Sequence, residues 1–228
     1  MERRGLFLIA VCTLAWCTVS SASTTNLNPG ETVNLADYAG NPNNRIFIAD
    51  KLFGDFAFIA GGNTNVFGPM TINLTAISNS FGYGIKISAP FHAQDTQLKD
   101  FIIDYSVTVS NAPFLISDLH LDYNGSHVAG GFSSVTEEIF TGGIGVNQIN
   151  QMVAYDPPPG NMMTNIFLAT PQSMLWIEKD IQLGGNNTGD QANISAINQV
   201  FSQIPEPSSM MLVAVGLGGM WLWRRRRA

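Results

Sequence analysis

The clearest regularity along the chain is a period of two. Phe101, Ile103, Tyr105, Val107 and Val109 occupy one side of residues 101–109, and Ile102, Asp104, Ser106 and Thr108 the other. Successive side chains of a strand point to opposite faces, so this alternation predicts a half-buried strand of an antiparallel sheet. Ile85, Ile87 and Ala89 repeat it around Lys86 and Ser88, and Leu115, Ser117, Leu119 and Leu121 repeat it against Ile116, Asp118, His120 and Asp122. Similar patterning predicts strands at 45–49, 56–60, 71–77, 133–140, 151–155 and 174–182. Turn-forming residues separate them: Gly61-Gly62-Asn63, Gly68-Pro69, Gly142-Gly143 and Gly184-Gly185-Asn186. Asn124-Gly125, between Tyr123 and Ser126, has the chemistry of a type I′ hairpin turn. Helical and strand periods compete over 192–201; the Asn and Ser content favours neither helix nor a long solvated face, so a final strand running into the tail is expected. Asp156-Pro157-Pro158-Pro159-Gly160 reads as a stiff loop within one domain. Many short strands spaced about ten residues apart predict an all-β fold, an antiparallel β-sandwich over residues 23–203.

Both ends break this pattern. Arg3 and Arg4 precede an apolar run over 5–16, and Ser20-Ser21-Ala22 offers small residues to a signal peptidase, so residues 1–22 read as a secretory signal peptide cleaved after Ala22. At the other end Pro205-Glu206-Pro207 is followed by an uncharged apolar run over 210–223, with Trp221 and Trp223 at its end, and then by Arg224, Arg225, Arg226 and Arg227. As a helix, residues 208–223 would span about 24 Å against a hydrocarbon core of about 30 Å. Amphipathic rings and cations at one end suit a short membrane anchor with its arginines on the cytoplasmic side.

In that order, these features resemble the PEP-CTERM sorting signal, here over residues 204–228. The resemblance implies export, transient anchoring in the inner membrane with the domain in the periplasm, and recognition of Pro205, Glu206 and Pro207 by the membrane enzyme exosortase. It also implies a final place at the cell surface or outside the cell, in association with exopolysaccharide in biofilm or floc. It covers only the tail and concerns address rather than work.

Composition narrows the work. Cys12 and Cys17 both fall in the predicted signal peptide, so the exported domain has no disulfide, thiolate zinc site or cysteine nucleophile. Without the two ends, 15 acidic residues face five basic ones, Arg45, Lys51, Lys86, Lys99 and Lys179. That balance repels nucleic acid, and no nucleic-acid partner is expected. The sequence has no Gly-x-Ser-x-Gly elbow, P-loop or dinucleotide fingerprint, and the domain is not read as an enzyme. Glu137-Glu138 would face opposite sides of a strand, which disfavours a carboxylate pair.

His120, Asp122 and His127 would meet across an Asn124-Gly125 hairpin, a weak metal set equally well read as a surface charge pair. Calcium is the better-supported ion, with oxygen ligands from Asp95, Asp100, Asp122, Asp180 or Asp190 in loops, although no spaced Asp-x-Asp-x-Asp is present and no cofactor is assigned. Sugar binding needs exposed rings beside amides, and Trp176, Tyr83, Tyr123 and Tyr155 are available. Trp176 is the domain's one tryptophan; a lone strand tryptophan reads as core before platform, and Trp176 stands as a speculative ligand contact. The expected function is therefore a sorted structural protein of the surface or matrix, with a carbohydrate-binding or calcium-dependent adhesive module as the alternative.

Overall fold

The period of two runs through the computed structural model, which describes residues 23–62, 67–111, 113–156 and 160–205. The expected signal peptide with its cleavage point at Ala22, Glu206 and Pro207 of the sorting motif, Trp221, Trp223 and Arg224, Arg225, Arg226 and Arg227 lie outside the described residues. Among the described residues, thirteen strands follow in order: β1 (Ser23–Asn26), β2 (Thr32–Asn34), β3 (Asn44–Ile48), β4 (Lys51–Gly62), β5 (Asn73–Asn79), β6 (Gly82–Gln94), β7 (Leu98–Val109), β8 (Phe114–Val128), β9 (Phe132–Phe140), β10 (Gln148–Asp156), β11 (Met163–Gln172), β12 (Met174–Gly184) and β13 (Gln191–Pro205). Among the described residues, no helix is long and apolar enough to cross a membrane.

The strands form two sheets, one ordered β1-β3-β4-β7-β12-β9-β10 and the other β11-β8-β13-β6-β5-β2. The pairings are antiparallel except β1 with β3, which run parallel. Inward positions of both sheets meet in a single core: the Phe101, Ile103, Tyr105 and Val107 face of β7 is fully buried, as its alternation predicts. Aromatic pairs tie the layers together. Phe53 of β4 meets Phe201 of β13 at 5.9 Å between ring centroids, and Phe101 of β7 meets Phe91 of β6 at 5.1 Å. Burying each such side chain stabilises the fold by about 2 kcal/mol.

Two expectations are corrected here. Asn124-Gly125 is not a turn: it lies inside β8, whose 15 residues pair with β13 as far as Gln191↔Val128. Gly125 does not hold a positive φ, and its missing side chain has another use, because a Cβ there would come within 2.4 Å of the Tyr123 ring. The chain reverses later, at Ala129 (φ 53), where Gly131 N–H donates to the Val128 carbonyl. The alternation in 115–122 also changes phase at Ser117. Asp118 pairs with Ser202 but Ile116 with Gln203, so Ser117 is an extra, bulged residue, and Ile116, Leu119 and Leu121 all reach the core.

The two ends of the sandwich differ. At one, Asp190 accepts from the backbone N–H groups of Gly130, Asn186 and Asn187 at 2.8–2.9 Å, and Asp95 accepts from Gly189 N–H at 2.8 Å. Those donors hold the Asp190 carboxyl below its usual range. At the other end β13 finishes at Pro205, still in register with Phe114 of β8.

Candidate functional site

Trp176 is on the outside of the sandwich. Its neighbours on β12, Leu175 and Ile177, are fully buried in the core, so Trp176 points away from it, half-buried on the outer face of the seven-stranded sheet. The reading of a lone strand tryptophan as core is thereby corrected. Its cross-strand neighbours are Ser106 of β7 and Phe140 of β9. Beyond Ser106 lies a shallow hollow of about 160 Å³, lined in part by Arg45, Asp55, Thr108 and Met174. Asp55 itself holds φ 55 beside a bulge in β4 and accepts from the Ser106 hydroxyl at 2.7 Å.

Along the same face the register builds a polar strip. Asp104, Glu178 and Glu138 are direct neighbours across β7, β12 and β9; Asp180 follows beside Ile102 and Thr136, and Gln182 lies between Asp100 and Ser134. Tyr155 of β10 stands opposite Ser134, exposed. The strip therefore runs from one aromatic to another over about 20 Å, six residues of strand at roughly 3.3 Å each.

Few donors serve these carboxylates. Asp104 is pushed up to about 6, first by burial and then by the charge of Glu178. Asp180 also rises to about 6, through burial and then its contact with Asp100, against the donor Gln182. Two carboxylate oxygens cannot bond each other unless one carries a proton, and both Asp100 and Asp180 keep an oxygen without a donor among the described residues.

The outer face of the six-stranded sheet is arranged differently. His120 Nε2 lies 2.5 Å from Asp118 Oδ1 and 3.0 Å from Ser202 Oγ, and Nδ1 lies 2.7 Å from Asn165 Oδ1. Phe81 stacks on its ring at 3.9 Å between centroids. Asp and Ser share one ring nitrogen here, so the set does not form the base-orienter relay that activates a serine. Asp122 accepts from Asn198 at 2.7 Å.

His127, expected beside Asp122 across a hairpin, instead meets Asp156 at 2.6 Å. His120, Asp122 and His127 belong to one strand and are not brought together. Of the acids considered for calcium, Asp100, Asp122 and Asp180 are strand residues, while Asp95 and Asp190 accept from backbone N–H groups. Among the described residues, no group of three or more His, Cys, Asp or Glu is arranged to hold a metal ion. An open cleft of about 440 Å³, lined by Ile149, Asn150, Phe167, Leu168 and Thr170 among others, carries no titratable side chain.

The polar residues that sequence reasoning passed over are inside. Lys179 and Glu137 are both fully buried and paired with each other, and Gln199 faces them. Their signal was present: Lys179 falls in the inward series Leu175, Ile177, Lys179, Ile181, Leu183, and Glu137 in Ser133, Val135, Glu137, Ile139.

The sorting motif begins within the fold. Gln203, Ile204 and Pro205 pair with Ile116, Leu115 and Phe114, so no spacer separates the last strand from Pro205.

Solved structures with a likeness to the chain include TmCBM61 in complex with β-1,4-galactotriose, at 10% identity over 64% of this chain and 88% of that one, with a TM-score of 0.32. The family 11 carbohydrate-binding module of Clostridium thermocellum, in complex with a β-1,3-1,4-mixed-linked tetrasaccharide, shares 13% identity over 65% and 89%, with a TM-score of 0.22. The enzymatically active domain of bacteriophage CBA120 tailspike protein 4 shares 9% over 66% and 19%, with a TM-score of 0.31. Likenesses this distant carry no argument about ligand or chemistry. No curated protein matches the chain. The family finding concerns the tail alone: residues 203–227 match the PEP-CTERM protein-sorting motif, a signal that indicates an exported protein sorted to the cell surface.

Proposed function

We propose that the protein is a structural component of the extracellular matrix that contacts neutral polysaccharide through the outer face of its seven-stranded sheet. The observation that carries this reading is the position of Trp176, outside the core on a face otherwise rich in hydrogen-bonding side chains. An indole ring on an open sheet stacks on the C–H face of a sugar, and Tyr155 offers a second ring at the other end of the strip. Between them Asp104, Glu138 and Glu178 accept from hydroxyls, and Gln182 adds an amide. A face already crowded with carboxylates repels an acidic polymer, which favours a neutral one.

Delivery follows from the tail. The signal peptide ending at Ala22 is removed on export, and the arginine-flanked apolar run holds the domain at the inner membrane until exosortase acts at Pro205-Glu206-Pro207.

Affinity electrophoresis in gels containing a neutral polysaccharide extracted from the producing cells tests the binding. Retardation that falls at least tenfold in apparent affinity on Trp176→Ala is the expected result, and equal retardation of both proteins would sink the proposal. Delivery is tested separately: Glu206→Ala is expected to leave the protein in the inner-membrane fraction, and unchanged release would refute the exosortase step without touching the sugar face.

A further inference from the structure

Three polar side chains lie in the interior, where surface recognition has no use for them. Lys179 of β12 and Glu137 of β9 are cross-strand partners in the seven-stranded sheet and point inward; Gln199 of β13 meets them from the six-stranded sheet. Each is 0% exposed. The Lys179 amine donates to Glu137 Oε2 and, at 2.6 Å, to Gln199 Oε1. Glu137 Oε1, Gln199 Nε2 and the hydroxyl of fully buried Tyr105 have no partner among the described residues. An ion pair with unmatched atoms around it is a poor way to stabilise a core, since well-packed apolar residues do as well or better. The arrangement suits a reaction instead.

We propose that Lys179 and Gln199 are joined by an intramolecular isopeptide bond, with Glu137 as the proton carrier. The Gln199 amide carbon lies one C=O bond, about 1.2 Å, beyond the oxygen that Lys179 already touches. Burial pushes the Lys179 amine down and the Glu137 carboxyl up, in each case against the attraction of the other's charge. Both shifts favour a neutral amine beside a neutral acid.

In the step, the Lys179 Nζ lone pair attacks Gln199 Cδ, and the Nζ–Cδ bond forms. Glu137 gives its proton to Gln199 Nε2 and takes one from Nζ; the Cδ–Nε2 bond breaks and ammonia leaves. The products are a secondary amide, ammonia and a protonated Glu137, so no oxidant or cofactor is needed. A dry site that holds the reactants together raises their effective concentration. Tyr105, kept protonated by burial and then by the charge of Glu137, leaves an unpaired donor in the same part of the core. The bond would tie one sheet to the other, a covalent staple for a domain without cysteines.

Intact-mass spectrometry of the exported full chain tests this. The expected mass is lower than that of its processed sequence by one ammonia, about 17 Da, and trypsin fails to cut after Lys179. A folded protein at its full sequence mass would overturn the bond. Loss of one water, about 18 Da, would place the link at Glu137 and overturn the choice of Gln199. Because the parent chain alone decides these outcomes, a variant that fails to fold does not weaken the test. Glu137→Gln, checked for native circular dichroism, is expected to restore the full mass; persistence of the loss would overturn its role as proton carrier.

Discussion

On the outer face of the six-stranded sheet, Asp118 is matched by His120 and Ser117, and Asp122 by Asn198. On the outer face of the seven-stranded sheet, Asp100, Asp104 and Asp180 each keep one buried oxygen that has no donor among the described residues. The same alternation along the strands delivers carboxylates to both surfaces. What differs is the register neighbour. His120 is two residues from Asp118 on the same face, whereas Asp104 has Glu178 beside it and Glu178 has Glu138. Partnered carboxylates hold the first face together. Unpartnered ones leave the second short of donors.

The largest effect expected from this contrast is on the partnered face. Asp118→Ala leaves the His120 Nε2 with Ser202 alone, in a site where Asp118 and His120 are about nine-tenths buried, and we expect a loss of about 2 kcal/mol, read from the urea midpoint. An unchanged midpoint would remove the distinction between the faces.

A smaller effect is expected from pH on the unpartnered face. Asp104 and Asp180 both titrate near 6 in the fold and lower when unfolded, so their contribution is fully present below about pH 4 and is lost as pH rises through about 6. Discounted for solvent at the open face, the pair accounts for about 1 kcal/mol. Asp180→Asn should flatten the stability profile over that window, and a profile identical to that of the parent would argue against the crowding.

The smallest effect on stability is expected at Trp176→Ala, below about 1 kcal/mol because the ring is outside the core. A loss of several kcal/mol in thermal or urea unfolding would mean that the ring is structural after all.

Alternation in 101–109 made β7 and its buried face legible, because every inward position there is apolar. Asn124-Gly125 misled for a physical reason: glycine was needed for room beside the Tyr123 ring, and only the structure shows that neighbour. Ser117 misled by one residue, since a bulge reverses the phase without any composition cue. Trp176 was placed by phase rather than residue type; counting from Leu175 and Ile177 would have put it outside. The same count would have found Lys179 inside, although not Gln199, which meets it from a strand of the other sheet. Long-range partners such as Asn165 and Ser202 at His120 had no signal in one sequence.

The way β13 ends has a mechanical meaning. It lies between β8 and β6, antiparallel to both, and it runs without a break into Pro205. Any tension applied through the sorting tail is therefore drawn along the axis of an interior strand. Such a load meets the bonds of both neighbours in shear, many at once, instead of peeling an edge strand one bond at a time. The domain is gripped by a strand held along both edges, which suits a protein whose sorting signal addresses it to the cell surface.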